Sequence, residues 1–194
     1  MTRFALLWLC LLVLLSGCAA NKAMDADNVT PAQAWLRPGV RVKLPAPTLA
    51  TPLHQQQLLS ATVDGKTQSL LVLLSADGQS LQLAGLSPLG IRLFKLLYDQ
   101  QGIHTDQAVS LGKMPPASQV LADIMLSYWP LSRWQPLLPP GWRLEDTGER
   151  RVLSDQNGQE VTRIDYLQRG NQRQPVSITQ RAFRYQINIQ NVGN

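Results

Sequence analysis

Gln57-Leu58-Leu59-Ser60-Ala61-Thr62-Val63-Asp64-Gly65-Lys66-Thr67-Gln68-Ser69-Leu70-Leu71-Val72-Leu73-Leu74-Ser75 is the stretch on which the fold turns. Two β-forming runs flank Asp64-Gly65, a pair suited to the positive backbone angles of a two-residue hairpin. The predicted strands are Gln57 to Val63 and Gln68 to Ser75. The second carries five consecutive aliphatic residues, Leu70 to Leu74, so neither of its faces is expected to be fully wet.

Downstream the same grammar repeats. Ala76-Asp77-Gly78-Gln79 reads as a turn, Leu81 and Leu83 alternate with Gln82 and Ala84, and Ser87-Pro88-Leu89-Gly90 interrupts the sheet. Ile91 to Tyr98 is a further strand, Asp99 to Gly102 a turn, and Ile103 to Val109 one more strand, which makes an antiparallel meander. The period then changes. Val120, Leu121, Ile124, Met125 and Tyr128 fall on one face of a helix, after Pro115-Pro116 and before Pro130. Ser118, Gln119, Ala122, Asp123 and Ser127 take the other side, and Asp123 there reads as solvated. A second short helix is expected through Leu131, Trp134 and Leu137, broken at Leu138-Pro139-Pro140-Gly141. Strands resume at Trp142–Asp146, Arg151–Ser154, Gln159–Leu167, Pro175–Gln180 and Phe183–Gln190, with a hairpin signal at Asn157-Gly158. Ile164, Ile178 and Ile187 alternate with polar neighbours, so these strands have one buried face. The fold class is α+β: an antiparallel sheet with helices in the middle of the chain, and no internal repeat.

Upstream, Arg3 precedes an uncharged apolar run from Phe4 to Leu15, and Leu15-Ser16-Gly17-Cys18 closes it. That run is about twelve residues, the length of a signal-peptide core and short of the roughly 20 that span a bilayer. Leu15 to Cys18 resembles the lipobox of bacterial lipoproteins. The resemblance implies cleavage before Cys18, a diacylglyceryl group on its sulfur and an acyl chain on its new amino group. A short membrane anchor, or a secretory signal with a chance cysteine, remains the alternative. Several acyl chains anchor stably where one does not. Ala19 follows the cysteine where enteric-type lipoproteins retained in the inner membrane carry Asp, which implies sorting to the outer membrane. Residues 1–17 are therefore read as signal peptide. Residues 18–52, with Pro31, Pro38, Pro45, Pro47 and Pro52, are read as a lipidated N-terminus and tether with a short helix near Pro31 to Leu36. Residues 53–194 are read as the folded domain.

The chain has two cysteines, Cys10 and Cys18, so loss of the leader and lipidation leave neither a disulfide nor a free thiol. The formal charge of +5 comes from scattered arginines interleaved with acids, not from a basic stripe, which argues against a nucleic-acid partner. His54 and His104 lack metal-type spacing; no phosphate loop, dinucleotide fingerprint or nucleophile elbow is present. A set of His104, Asp106 and a serine has no spacing to support it. No catalytic residue, metal or cofactor is assigned.

What remains is apolar. Ordinary core packing accounts for it. Alternatively, a curled sheet covered by the helices encloses a cavity for an acyl or polyene chain. The lining would then come from Leu70, Val72, Leu81, Leu83, Leu93, Leu121, Ile124, Met125, Trp134, Ile164, Ile178 and Ile187.

The order of elements is similar to that of the LolB family, the outer-membrane receptors that accept lipoproteins from the periplasmic carrier LolA. The resemblance rests on Ser87-Pro88-Leu89-Gly90, Ala122 and Ile124, Leu131-Ser132-Arg133-Trp134, Leu137-Leu138-Pro139, Val161 to Tyr166, Pro175-Val176-Ser177-Ile178 and Ile187-Asn188-Ile189. It is closer still to a branch of LolB-like lipoproteins encoded near genes for envelope polyene lipids. It implies an incomplete antiparallel barrel plugged by helices, an apolar cavity, lipid or acylated cargo, and a LolA-like carrier as possible partner. Such receptors carry an exposed leucine on a protruding loop. Here the connection matched to it, Ser75 to Ser80, is short and polar, which separates the chain from the receptors themselves. The competing function is a scaffold lipoprotein with a solid core and protein partners.

Overall fold

The computed structural model describes residues 32–108 and 115–192. The fold begins well before residue 53. Strands β1 (Gln33–Arg37) and β2 (Val40–Lys43) form a two-stranded hairpin turned at Pro38-Gly39. Ala34, Leu36, Val42 and Leu44 are all buried in the main core. The expected helix over this segment is therefore absent among the residues described, and residues 32–52 are not a free tether. The prolines misdirect the reading: Pro38-Gly39 is a turn between two alternating runs, not part of an extended linker. Beyond it Tyr98 Oη donates to Pro45 O at 2.9 Å, and Trp129 Nε1 to Ala46 O at 3.0 Å. The Pro45–Pro47 segment is thus a strap pinned across the core.

The rest of the chain is two meanders around a helical centre. The first comprises β3 (Leu53–Val63), β4 (Lys66–Ala76), β5 (Leu81–Leu86), β6 (Arg92–Asp99) and β7 (Gly102–Gln107). Asp64 and Gly65 both take positive φ, 49° and 75°, as a two-residue hairpin between β3 and β4 demands. Helices α1 (Ala117–Tyr128) and α2 (Leu131–Trp134) follow, with a 3-10 turn at Gln135–Leu137. The second meander is β8 (Arg143–Asp146), β9 (Arg150–Ser154), β10 (Glu160–Arg169), β11 (Gln172–Gln180) and β12 (Tyr185–Asn191). β12 pairs with β3, from Tyr185 opposite Val63 to Asn191 opposite Gln57, and this joins the meanders. The result is a ten-stranded antiparallel sheet in the order β7-β6-β5-β4-β3-β12-β11-β10-β9-β8, curled but open, with β7 and β8 at its edges. Antiparallel sheets of this width curl because strand twist accumulates. At β5–β6 the Phe94 ring lies over Gly85, where an added Cβ would stand 2.1 Å from it, and the register shifts just beyond.

α1 lies against the sheet with its two sides both engaged. Leu121, Ala122, Met125 and Leu126 are in the core, and so is the opposite stripe Gln119, Asp123 and Ser127, spaced four apart. Asp123 is 2% exposed, so the expectation that it is solvated is wrong. The C-terminal carbonyls of α1, which no helix can satisfy internally, are met by side chains. Trp134 Nε1 donates to Met125 O at 3.1 Å, Arg151 Nη1 to Leu126 O at 2.6 Å and Trp129 O at 2.8 Å, and Tyr166 Oη to Ser127 O at 2.8 Å. Arg151 also pairs with Asp146 through Nε and Nη2 at 3.0 and 2.8 Å, while Arg173 grips both oxygens of Asp146 at 2.7 and 2.8 Å. Burial alone would raise the Asp146 carboxyl; Arg173, the Gly148 N–H and Arg151 outweigh it and bring it down to about 2.

Arg151→Ala strands the Leu126 carbonyl and that of the C-cap Trp129 and leaves Asp146 to Arg173 and the Gly148 N–H, so a loss of about 1–3 kcal/mol for each carbonyl in urea unfolding is expected. Arg173→Ala, at the more exposed end of the same network, is expected to cost less.

Candidate functional site: an apolar cavity between helix and sheet

Alternation places one side of each strand under α1. From β3 these are Leu59, Ala61 and Val63, from β4 Leu70, from β12 Tyr185, Ile187 and Ile189. With Val120 and Ile124 of α1 they enclose a cavity of about 370 Å³. Gln68 and Ser69 of β4 are exposed and lie at its mouth, whereas Gln57, Asp123 and Ser127 are buried at its inner wall.

Of the residues predicted from sequence to line a cavity, Leu70, Leu83, Leu93, Ile124, Ile178 and Ile187 do so. Leu93 reaches it beyond the register shift between Gly85 and Leu86. Val72, Leu81, Leu121, Met125, Trp134 and Ile164 lie instead in solid core. Cys18, Ala19 and the leader lie outside the described residues. On the outer face of β4 Leu73 is 41% exposed, so that face is wetter than its run of leucines suggests.

The inner wall is polar, and sequence reasoning missed it. The Tyr185 hydroxyl donates a short hydrogen bond to Asp123 Oδ2, and Gln180 Nε2 donates to Asp123 Oδ1 at 3.1 Å. Burial is the largest influence on Asp123 and raises its carboxyl to about 6, although hydrogen bonds from Tyr185, Gln180 and Gln119 pull the other way. Nearby, Gln57 Nε2 donates to Tyr128 Oη at 2.8 Å and to Asn191 Oδ1 at 2.9 Å, tying α1 to β3 and β12. Burial lifts the Tyr128 phenol to about 12, so it stays neutral. The only available signal in sequence was the four-residue spacing of Gln119, Asp123 and Ser127, which reads equally as a solvent face.

Other chemistry does not assemble. His104 Nε2 lies 3.4 Å from Asp99, while Asp106 pairs with Arg92 at 3.0 Å. Among the described residues no cluster of three or more potential metal ligands occurs, and no helix is long and apolar enough to cross a membrane. The Ser75–Ser80 connection is a tight turn in which Asp77 accepts from the Gln79 and Ser80 N–H groups at 2.7 Å. The two most exposed large apolar side chains among the described residues are elsewhere: Leu89 is 86% and Ile91 61% exposed, at the β5–β6 turn.

A family described as a protein of unknown function, DUF3261, matches residues 54–193. The chain belongs to the DUF3261 family. No curated protein matches it. The matched span covers both meanders and both helices, hence every residue lining the cavity, but leaves out the β1–β2 hairpin.

Asp123 has an unfolded value of 3.8 and a folded value of about 6. Its protonated form therefore favours the fold below the first value, and that contribution is lost as pH rises through the second. Asp123→Asn removes the buried charge while keeping the shape. Urea unfolding is expected to show the variant more stable than wild type at about pH 8, with the gain largely gone at about pH 4.

Proposed function

We propose that this protein is an outer-membrane-anchored lipoprotein, lipidated at Cys18, that binds or transfers a lipid or an acylated or polyene amphiphile during envelope biogenesis. The observation that carries the proposal is the cavity of about 370 Å³ with aliphatic residues on the sheet and helix sides and, among the described residues, no Lys, Arg or His in its lining. Sites for small ligands typically run to about 300–1,000 Å³ with apolar walls and a few polar groups. Each methylene buried there contributes about 0.8 kcal/mol, so a chain of modest length binds without any charged motif.

Three further features support the reading. The leader and Leu15-Ser16-Gly17-Cys18 supply an anchor. An open, curled antiparallel sheet with helices against it is the architecture that a LolB-like half-barrel requires, and a LolA-like carrier is then the natural donor of cargo. Leu89 and Ile91 offer an apolar hairpin tip that can touch the bilayer when cargo moves. The exposed leucine expected of a lipoprotein receptor thus has a candidate in the Ser87-Pro88-Leu89-Gly90 turn rather than at Ser75–Ser80. A scaffold with a solid core is disfavoured by the cavity.

The test is native mass spectrometry of the protein extracted from its own membrane. A co-purifying molecule with a long apolar chain is expected, and Ala61→Phe, which fills the cavity from β3, should reduce its occupancy at least about tenfold, equivalent to 1.4 kcal/mol. Protein that carries no such molecule, or keeps it undiminished in Ala61→Phe, would falsify the reading. Leu89→Asp is expected to leave occupancy intact and to slow transfer of the bound molecule to phosphatidylcholine vesicles; unchanged transfer would remove the β5–β6 tip from the mechanism.

A further inference from the structure

The polar cluster on the cavity's inner wall has an imbalance of hydrogen-bonding groups. Asp123 offers two carboxylate oxygens, with room for about four hydrogen bonds. Tyr185 has already given its one proton to Asp123 Oδ2, and the Gln180 amide points its Nε2 at Oδ1. Gln180 Oε1 is buried and accepts no hydrogen bond among the described residues. Gln119 also donates to Asp123 and to the Tyr185 oxygen, so the cluster's donors are committed while acceptor capacity is left over on Asp123 and on Gln180 Oε1. Gln180 is 1% exposed, Asp123 2% and Tyr185 7%, so unmet acceptors here carry a real desolvation cost. Asp123 and Tyr185 both line the cavity, and among the described residues its lining contains no cation to neutralise a second anion.

We propose that Asp123 and Tyr185 are the polar anchor of the cavity, and that they select cargo whose buried segment bears a hydrogen-bond donor, a hydroxyl or an amine, over cargo whose buried segment ends in an anion. This rests on the cavity reading above and adds the chemical class of the cargo. A donor on an aliphatic chain completes the cluster. A buried carboxylate faces Asp123 without a partner, which is the arrangement protein interiors avoid. The other groups packed against Asp123 are Tyr185 and Gln180 from the sheet and Gln119 from its own helix; none is a base. Burial raises Asp123 to about 6, so it is ionised in neutral solution and attracts an amine most strongly there.

The experiment uses the full chain in phosphatidylcholine nanodiscs, with empty nanodiscs as the blank, and measures retention of radiolabelled dodecan-1-ol, dodecylamine and dodecanoate. At about pH 8 the amine and the alcohol are expected to be retained at least about tenfold better than dodecanoate, a 1.4 kcal/mol preference. In Asp123→Asn the amine should lose its lead over the alcohol and dodecanoate should gain. Wild type at about pH 5, with Asp123 protonated, should lose the amine lead as well, a check that needs no variant. Equal retention of all three probes by wild type, or an order unmoved by both the substitution and the pH, overturns the selectivity while leaving the cavity reading intact. Retention of none above the blank overturns both.

Discussion

The C-terminal end of α1 is the fixed point of this structure. Three of its last carbonyls, Met125, Leu126 and Ser127, and that of the C-cap Trp129 receive hydrogen bonds from Trp134, Arg151 and Tyr166. A helix end buried without such partners would leave acceptors unpaired in a dry interior. Arg151 cannot be placed there alone, because a buried guanidinium needs its own counter-charge. Asp146 provides it, and Arg173 grips both oxygens of the same carboxylate while stacking 3.5 Å from the Tyr166 ring centre. One helix terminus thus organises β8, β9, β10 and β11 at once. The N-terminus of α1 is different: Pro116 caps it with no side-chain hydrogen bond, and no acidic residue lies in the first turn. The cavity runs along the helix between these unlike ends, from Pro115 and Val120 to Ser127 and Tyr128.

The buried Asp123 and the half-buried Asp146 respond oppositely to their surroundings. Asp146 and Asp123 both suffer desolvation. Asp146 is repaid by two guanidinium groups and a backbone N–H, and its carboxyl falls to about 2. Asp123 meets only neutral donors and rises to about 6. Asp146 therefore supports the fold above 3.8, with that support lost as pH falls through about 2, while Asp123 weakens it as pH climbs through about 6. The first is a structural charge. The second is a charge the fold would be better without, set at the wall of a cavity.

Much of the architecture was legible because it is written in local periods. The Asp64-Gly65 hairpin, the meander to Gln107, the change of period at α1 and the return to strands at Arg143 follow from alternation, turn chemistry and proline placement. The β1–β2 hairpin was obscured because five prolines between residues 31 and 52 suggested an extended linker, although Pro38-Gly39 sits between Ala34-Leu36 and Val40-Val42 alternations. The β3–β12 pairing that joins the meanders is long-range and leaves no local trace. Of the predicted lining residues, Leu70, Leu83, Leu93, Ile124, Ile178 and Ile187 face the cavity, whereas Val72, Leu81 and Ile164 on the sheet and Leu121, Met125 and Trp134 on the helices pack into the core. Period alone identifies an apolar side chain as inward. It does not say whether the space it points into is filled.

Asp123 was missed for a related reason, and the miss is informative. A polar residue on a helix is ordinarily solvated, and its burial depends on partners far along the chain, here Gln180 and Tyr185. Asparagine or leucine at position 123 would spare the fold the cost of a buried carboxyl. Where a local rule is broken without a gain in stability, a functional explanation is favoured over a structural one. The position of the violation sharpens this. Asp146 shows that the protein can neutralise a half-buried carboxylate with arginine when it needs only structure. At Asp123 it supplies hydroxyl and amide groups instead, which bring no positive charge to the carboxylate.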